Sequence, residues 1–426
     1  PRLKKPMTPT INKTVLQNGI RILTKRLPHV RSVSMGVWVN AGARDETQEE
    51  NGLSHFIEHM IFKGTSRRSA FQIAKEFDAV GGHTNAFTTM ENTCYHGRVM
   101  DTHLEVMIDI LSDIFLNSVF DPVEVERERP VIFQEIGMLE DNPEEYIHLL
   151  SGKAFWGETA LGRSILGTRE NLINFNSEAI KSFFGKFYQP DRIVISAAGN
   201  VDHSYIVDRM KPAFESIQKK NGFPLRLPPD SSPKISLYRR KLEQVHICIA
   251  CPGFSLADPK RFSFSLMNTV LGGNMSSRLF QEIRERRGLA YSIYSFISPH
   301  VDTGMFGIYA ACDPKKTEEL IGLCVTEMKK IKKDLLEETE LKNAKEFIKG
   351  NLLLSSEGVD SQMVRQAQSE IYFNRDIPLE WIIEQIERVS PEEIRTLSRD
   401  IFQADRMALT LLGPVPKKID SSNVFL

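Results

Sequence analysis

Two histidines and a glutamate within five residues, His55-Phe56-Ile57-Glu58-His59, are the part of this sequence best suited to chemistry. On a helix, His55 and His59 stand at i and i+4, with their Cβ atoms about 5–6 Å apart on one face. Two imidazoles at that spacing can close on one tetrahedral Zn²⁺ with bonds of about 2.0–2.1 Å. Glu58 flanks the same face, too close to the pair to be an easy third ligand but well placed to take a proton from water at the metal. A hydrolytic zinc needs three protein ligands and one open position, so a third has to come from another element. A helix expected over Pro122–Leu139 carries Glu124, Glu126, Glu128 and Glu135, of which Glu128 and Glu135 lie seven apart and share a face. On spacing alone, the histidine pair could equally sit on a surface helix. The acidic helix could be a solvated face, the usual reason for a run of charge.

The elements that must position these groups are legible in outline. Asn18-Gly19 reads as a turn into a strand beginning at Ile20, and Val33–Val39 is apolar and β-branched enough for a second. Helical spacing covers Gly52–Phe62, where Leu53, Phe56, Ile57, Met60 and Ile61 supply a face to bury, and Ala70–Val80, which Gly81-Gly82 ends. Thr84–Thr89 and Thr93–Val99 read as strands. Thr102–Leu116 and Pro122–Leu139 read as helices, the latter broken at Asn142-Pro143 because the residue before a proline is pushed out of the helical region. Strands followed by helices and then another strand describe an α+β layer rather than alternating βαβ units.

A long repeat divides the chain. Ser177–Val201 and Pro391–Val415 align in register, with Glu178, Ile180, Gln189, Asp191, Arg192, Gly199 and Val201 recurring as Glu392, Ile394, Gln403, Asp405, Arg406, Gly413 and Val415. Each copy reads as helix, turn and buried strand. A spacing this long means two similar domains rather than a solenoid: 1–218 carrying the zinc motif, a Pro-, Gly-, Lys- and Ser-rich linker at 219–233, and 234–426 as its homologue. The fold class expected is therefore α+β, two homologous domains, each a mainly antiparallel sheet with helices packed on one side.

Composition narrows the rest. In 426 residues, 54 Lys+Arg oppose 55 Asp+Glu, a formal charge of −1 that leaves no electrostatic footprint for a nucleic-acid partner. At 41% hydrophobic and 26% charged the chain is ordinary globular material, and no run is long and apolar enough for a membrane span. The first residues, Pro-Arg-Leu-Lys-Lys-Pro, do not form an intact secretory signal, although a targeting segment could have been removed. Five cysteines are no disulfide framework, so reduced thiols and a cytoplasmic location are expected. Cys248-x-x-Cys251 lies in an apolar strand with no second pair to complete a thiolate site, and reads as structural.

In its wider context, GLSHFIEHMIFKGT followed by GGHTNAFTTMENTCYHGRV and ERERPVIFQEIGMLEDNPEE, the motif resembles the inverted zincin signature H-x-x-E-H of the pitrilysin/insulysin superfamily. The resemblance is nearest to its mitochondrial-processing-peptidase branch and spans essentially the whole chain. It implies Zn²⁺, one per subunit, held by His55, His59 and Glu135, which follows His59 by 76 residues. It also implies Glu58 as catalytic base and a further role in activity for Glu128. In the second half, LGGNMSSRLF leading into IRERRGLAY resembles the family's other signature and assigns Arg284 and Tyr291 to substrate binding. The segment corresponding to the zinc helix there, around Ser263–Leu271, has neither histidine nor glutamate. A strand at Asn85–Thr89 resembles the edge that pairs with extended substrate, making Asn85 and Ala86 candidate binding residues.

The activity implied is that of a zinc metalloendopeptidase acting on short or unfolded peptides, presequence-like ones among them, inside a closed chamber of four such domains. Two domains per chain imply a partner. A homodimer, with the site of one subunit facing Arg284 and Tyr291 of the other, is the economical assembly and a heterodimer the alternative. The rival reading is a non-catalytic scaffold or regulatory subunit of the same fold.

Overall fold

The computed structural model describes residues 11–219, 222–231 and 234–415; residues 220–221 and 232–233 of the expected linker lie outside the described residues. The first half runs β1 (Ile11–Val15), β2 (Arg21–Arg26), β3 (Ser32–Val39), α1 (Leu53–Met60), α2 (Ala70–Ala79), β4 (His83–Thr88), β5 (Thr93–Met100), α3 (Leu104–Asn117) and α4 (Pro122–Asp141). It continues with α5 (Pro143–Trp156), α6 (Arg169–Asn174), α7 (Ser177–Phe187), β6 (Ile193–Gly199) and α8 (His203–Phe214). The second half runs β7 (Ile235–Arg239), β8 (Val245–Pro252), α9 (Arg261–Leu271), a π-helical turn (Phe280–Glu285), β9 (Ala290–Pro299) and β10 (Gly304–Cys312). The helices α10 (Thr317–Lys333), α11 (Glu338–Ser355), α12 (Val359–Phe373), α13 (Leu379–Arg388) and α14 (Pro391–Ile401) precede β11 (Ala408–Gly413).

Among the described residues the strands form two sheets of the same plan. The first has the order β1-β2-β6-β3-β5-β4 and the second β7-β11-β8-β10-β9. In each, a single parallel pair, β2 with β6 and β7 with β11, adjoins antiparallel neighbours. The central strands β3 and β6 are buried almost throughout, so their sequences read as continuous apolar runs rather than alternation. The repeat persists at the level of single bonds. Gly199 and Gly413 end β6 and β11 at φ 134° and 132°, each followed by the same turn, with Val201 N donating to Gly199 O at 2.9 Å and Val415 N to Gly413 O at 2.8 Å. A side chain at either glycine would meet backbone oxygen, Ser32 O at 2.1 Å or Gln244 O at 2.5 Å. The repeat therefore keeps glycine at both positions.

Helices cover both faces of each sheet. On β5, Tyr95 packs against Phe115 of α3, while its neighbour Cys94 points the other way and joins Leu23, Trp38, Val194 and Ala198 against Met363 and Ala367 of α12. In the second sheet, Ile247 and Ile249 face the core built with α9, α10 and α14, and Cys248 between them packs with Ile147 and Leu150 of α5. Among the described residues, the helix on the second face thus comes, in each case, from the other half of the chain. Consequently the compact units are not continuous in sequence. Among the described residues, one takes in those from 11 to 135 with 164–225 and 355–377, and the other those of 136–163, 226–354 and 378–415. A single cut at 219–233 separates the sheets but not the helices packed on them.

Candidate metal centre

Helix α1 begins at Gly52, whose φ of 108° lies in the left-handed region, and whose absent side chain leaves room for Gly167 and Leu172. The buried carboxylate of Glu46 caps this start from outside the helix. Its Oε2 accepts from Gly52 N at 2.9 Å and Asn51 Nδ2 at 3.0 Å, and its Oε1 accepts from Ser54 N at 2.7 Å. A negative group against the unpaired N–H groups of a first turn is favourable both as hydrogen bond and through the helix dipole. Phe56, Ile57 and Met60 bury the far side of α1, leaving His55, Glu58 and His59 on the side toward α4 and β4. Arg129 secures α4 against the same helix: its guanidinium lies 5.9 Å from the Phe56 ring centroid and donates to Phe175 O at 2.8 Å.

Glu135 of α4 meets both imidazoles. Its Oε2 stands 3.5 Å from His55 Nε2 and 3.4 Å from His59 Nε2, and the three ligand atoms lie within 4.8 Å of one another. Those separations are long for hydrogen bonds but fit the edges of a tetrahedron, which for bonds of about 2.0–2.1 Å measure about 3.3–3.4 Å. The donor set, two imidazole nitrogens and one carboxylate oxygen, suits zinc. His59 Nδ1 bonds Glu128 Oε1 at 2.9 Å, which leaves Nε2 as the free lone pair. The other oxygen of Glu128 meets Lys63 Nζ at 2.5 Å.

Burial, helped by the neighbouring His59, lowers His55 to about 3, so this ring is a neutral donor. Burial also pulls on His59, but the Glu128 hydrogen bond and the charges of Glu135, Glu128 and Glu58 together raise it. Glu58 is raised above the ordinary carboxylate range by burial, against hydrogen bonds from Thr88. Its Oε2 is buried without a hydrogen-bond partner, an orphaned acceptor beside the putting-together of three metal-type ligands. Burial likewise holds Glu128 up, but the His59 and Lys63 hydrogen bonds outweigh it and keep this carboxyl low.

Beside α1, β4 is the edge of the first sheet; among the described residues it pairs with β5 alone, Asn85 opposite His96 and Ala86 opposite Tyr95. Asn85 is exposed, and its Oδ1 accepts from Ala86 N at 2.9 Å. In the second unit, Arg284 lies in the π-helical turn with its guanidinium between two rings, 4.6 Å from the Phe280 centroid and 4.9 Å from that of Tyr291. Tyr291 is 81% exposed, and both residues line a 310 Å³ cleft with Gly272, Gly273 and Asn274. Cys248 and Cys251 are buried free thiols raised by burial to about 12 and higher, which makes them inert.

Sequence reasoning thus named the residues that converge at α1 and α4, and missed Glu46, Lys63, Arg129 and Phe280. Lys63 stands four residues beyond His59, a spacing that could have drawn notice. Glu46, seven residues before the first residue of α1, offered no local signal.

Such a site on a duplicated α+β fold defines a class: two-sheet proteins with an inverted histidine pair and a distant carboxylate on the first repeat. A family model described as "Insulinase (Peptidase family M16)" matches residues 21–169, and one described as "Peptidase M16 inactive domain" matches residues 174–348. A Bacillus subtilis protein called an "uncharacterized zinc protease" is 41% identical over 406 residues, covering 95% of this chain and 98% of its own. A Streptomyces coelicolor protein of the same description is 38% identical, with 96% and 91% covered. The chain belongs to peptidase family M16, the pitrilysin superfamily. Its fold matches that of a protease from Helicobacter pylori, with a TM-score of 0.89 at 19% identity and 95% and 99% of the two chains covered. It also matches a Pseudomonas fluorescens structure described as a peptidase M16 inactive domain, at TM-score 0.85 and 19% identity, with 96% and 100% covered. Among the described residues no helix is long and apolar enough to cross a membrane.

Proposed function

We propose that this protein is a zinc metalloendopeptidase that hydrolyses short or unfolded peptides, with His55, His59 and Glu135 as ligands. The observation that carries the reading is the pair of 3.4 and 3.5 Å separations between one oxygen of Glu135 and the two imidazole nitrogens. The family of the chain, and the names of relatives similar over nearly its whole length, support zinc and proteolysis.

When bound, zinc supplies Lewis acidity toward a peptide carbonyl and acidifies water in the open position. Glu58 is the general base. It takes a proton from the attacking water and passes it to the leaving amine, a role suited to a carboxyl whose affinity for protons burial has increased. Glu128 fixes the tautomer and orientation of His59. The exposed edge of β4 at Asn85 and Ala86 receives substrate as an added strand, the Asn85 side chain giving up its bond to Ala86 N as the peptide arrives. Arg284 binds peptide carbonyl or carboxylate, and the Tyr291 phenol donates to a developing oxyanion. Presequence-like substrates, one zinc per subunit, a closed chamber, a homodimer (a heterodimer being the alternative) and a cytoplasmic setting complete the reading. The five free, buried thiols accord with that setting.

Cleavage of a quenched basic peptide by the purified protein, abolished by chelator and restored by zinc, tests the activity. Glu58→Gln should keep zinc near one per chain and lose about 10²–10⁴-fold in rate. Zinc bound without cleavage of any member of a peptide library would return the chain to the scaffold reading. Sedimentation equilibrium tests the dimer.

A further inference from the structure

Lys63 has a place at this site that the sequence motif does not explain. It follows α1 by three residues, on a turn closed by Lys63 N donating to Met60 O at 3.0 Å. The turn brings its ammonium back to 2.5 Å from Glu128 Oε2, while Glu128 Oε1 is 2.9 Å from His59 Nδ1. Glu128 is only 5% exposed. Each oxygen of a nearly buried carboxylate thus has one partner on the same short stretch of chain, the ligand histidine and a lysine four residues later.

We propose that Lys63 is a positioning residue for the metal site, acting through Glu128 to hold the His59 ring in the tautomer and direction that ligation needs. A carboxylate with one buried oxygen unpaired carries a desolvation penalty, and it relieves that penalty by turning toward water. Turning takes Oε1 away from Nδ1 and frees the imidazole. Lys63 prevents the turn by satisfying Oε2 from the opposite side. Carboxylate partners of ligand histidines typically contribute 10–100-fold to metal affinity. Loss of Lys63 should forfeit a large part of the Glu128 contribution while touching neither zinc nor substrate.

The inference rests on the metal site proposed above, and wild-type zinc binding separates the two. No zinc bound by the wild-type chain would defeat that site, whereas zinc bound equally by wild type and variant would defeat only the role of Lys63. The experiment is competition for zinc against a chromophoric chelator, on full-length wild type, Lys63→Met, Lys63→Arg, Glu128→Gln and the double variant Lys63→Met/Glu128→Gln. Thermal melts of the apo forms report folding. Lys63→Met should bind zinc about 10-fold or more weakly with its apo melt intact, and Lys63→Arg should recover most of the loss. In the Glu128→Gln background, Lys63→Met should cost less than about 3-fold, because both act through one carboxylate. Wild-type affinity in Lys63→Met, or an undiminished loss in the Glu128→Gln background, overturns the proposal. If Lys63→Met gives no cooperative melt, Lys63→Gln, alone and with Glu128→Gln, is read by the same criteria.

Discussion

At the scale of single residues, five carboxylates on or beside α1 and α4 separate by surroundings rather than by chemistry. Glu135 presents an oxygen to both imidazoles, Glu128 is fixed between His59 and Lys63, and Glu58 keeps one buried oxygen without a partner. Glu46 is occupied at the start of α1, and half-buried Glu124 pairs with exposed Arg127. This division predicts different losses from similar substitutions. Glu135→Ala removes one of the three proposed ligands and should abolish stoichiometric zinc at micromolar metal. Glu128→Gln should only weaken it, by about 10–100-fold. Zinc content after dialysis against graded chelator ranks the two, and equal losses would contradict the assignment of Glu135 as ligand and Glu128 as its neighbour's support.

At the scale of elements, two histidines are useful only if α1 starts where it does. Glu46 supplies three acceptor contacts at that start yet is fully enclosed, and burial lifts its carboxyl to about 7 despite them. A carboxyl whose folded value exceeds its unfolded value of about 4.5 adds stability that is complete below pH 4.5 and is lost as pH rises through about 7. Glu46→Gln keeps the shape and removes the titration. In the zinc-free protein, the stability of wild type relative to Glu46→Gln should therefore fall by about 3 kcal/mol between pH 4.5 and 7.5, measured by urea denaturation at each pH. A difference independent of pH would show that Glu46 is ionised throughout. The same element shows what a linear reading can reach. The helical spacing of Gly52–Phe62 and the strands at Val33–Val39 and Thr93–Val99 are where periodicity placed them, because each buries a face locally encoded. Phe280 beneath Arg284 was not legible, since a π-helical turn is not written in apolar periodicity.

At the scale of the whole molecule, duplication explains more than the two sheets. At the repeat offset of 214 residues, Glu128 and Glu135 fall on Lys342 and Lys349, and α9 has no histidine, so the second unit keeps the plan without the proposed ligands. The same offset carries α5 close to α12, and these are the two helices that pack on the sheet of the opposite half. Composition could suggest a linker at 219–233 but could not reveal this reciprocity, because an amphipathic helix does not state which sheet it will cover. The contacts of α12 are extensive. Trp38 Nε1 reaches Met363 Sδ at 3.3 Å, Ser196 Oγ donates to Met363 O at 2.7 Å, and Gln366 Nε2 donates to Ser196 Oγ and Ala197 O, both at 2.8 Å. Buried Lys25 donates to Gln362 Oε1 at 2.9 Å, and Lys13 pairs with Glu370 at 2.7 Å. Removing the helix would expose Trp38, Leu23 and Val194 at roughly 1.5–3 kcal/mol for each large apolar side chain. That loss is comparable to the whole stability of a typical domain, about 5–15 kcal/mol. Residues 1–218 expressed alone, although they hold every proposed zinc ligand, should therefore fail to melt cooperatively or to bind zinc tightly. Co-expression with 219–426 should restore both, because it returns α12 to the first sheet. A 1–218 fragment that unfolds as sharply as the intact chain would mean that the first sheet needs no helix from the second half.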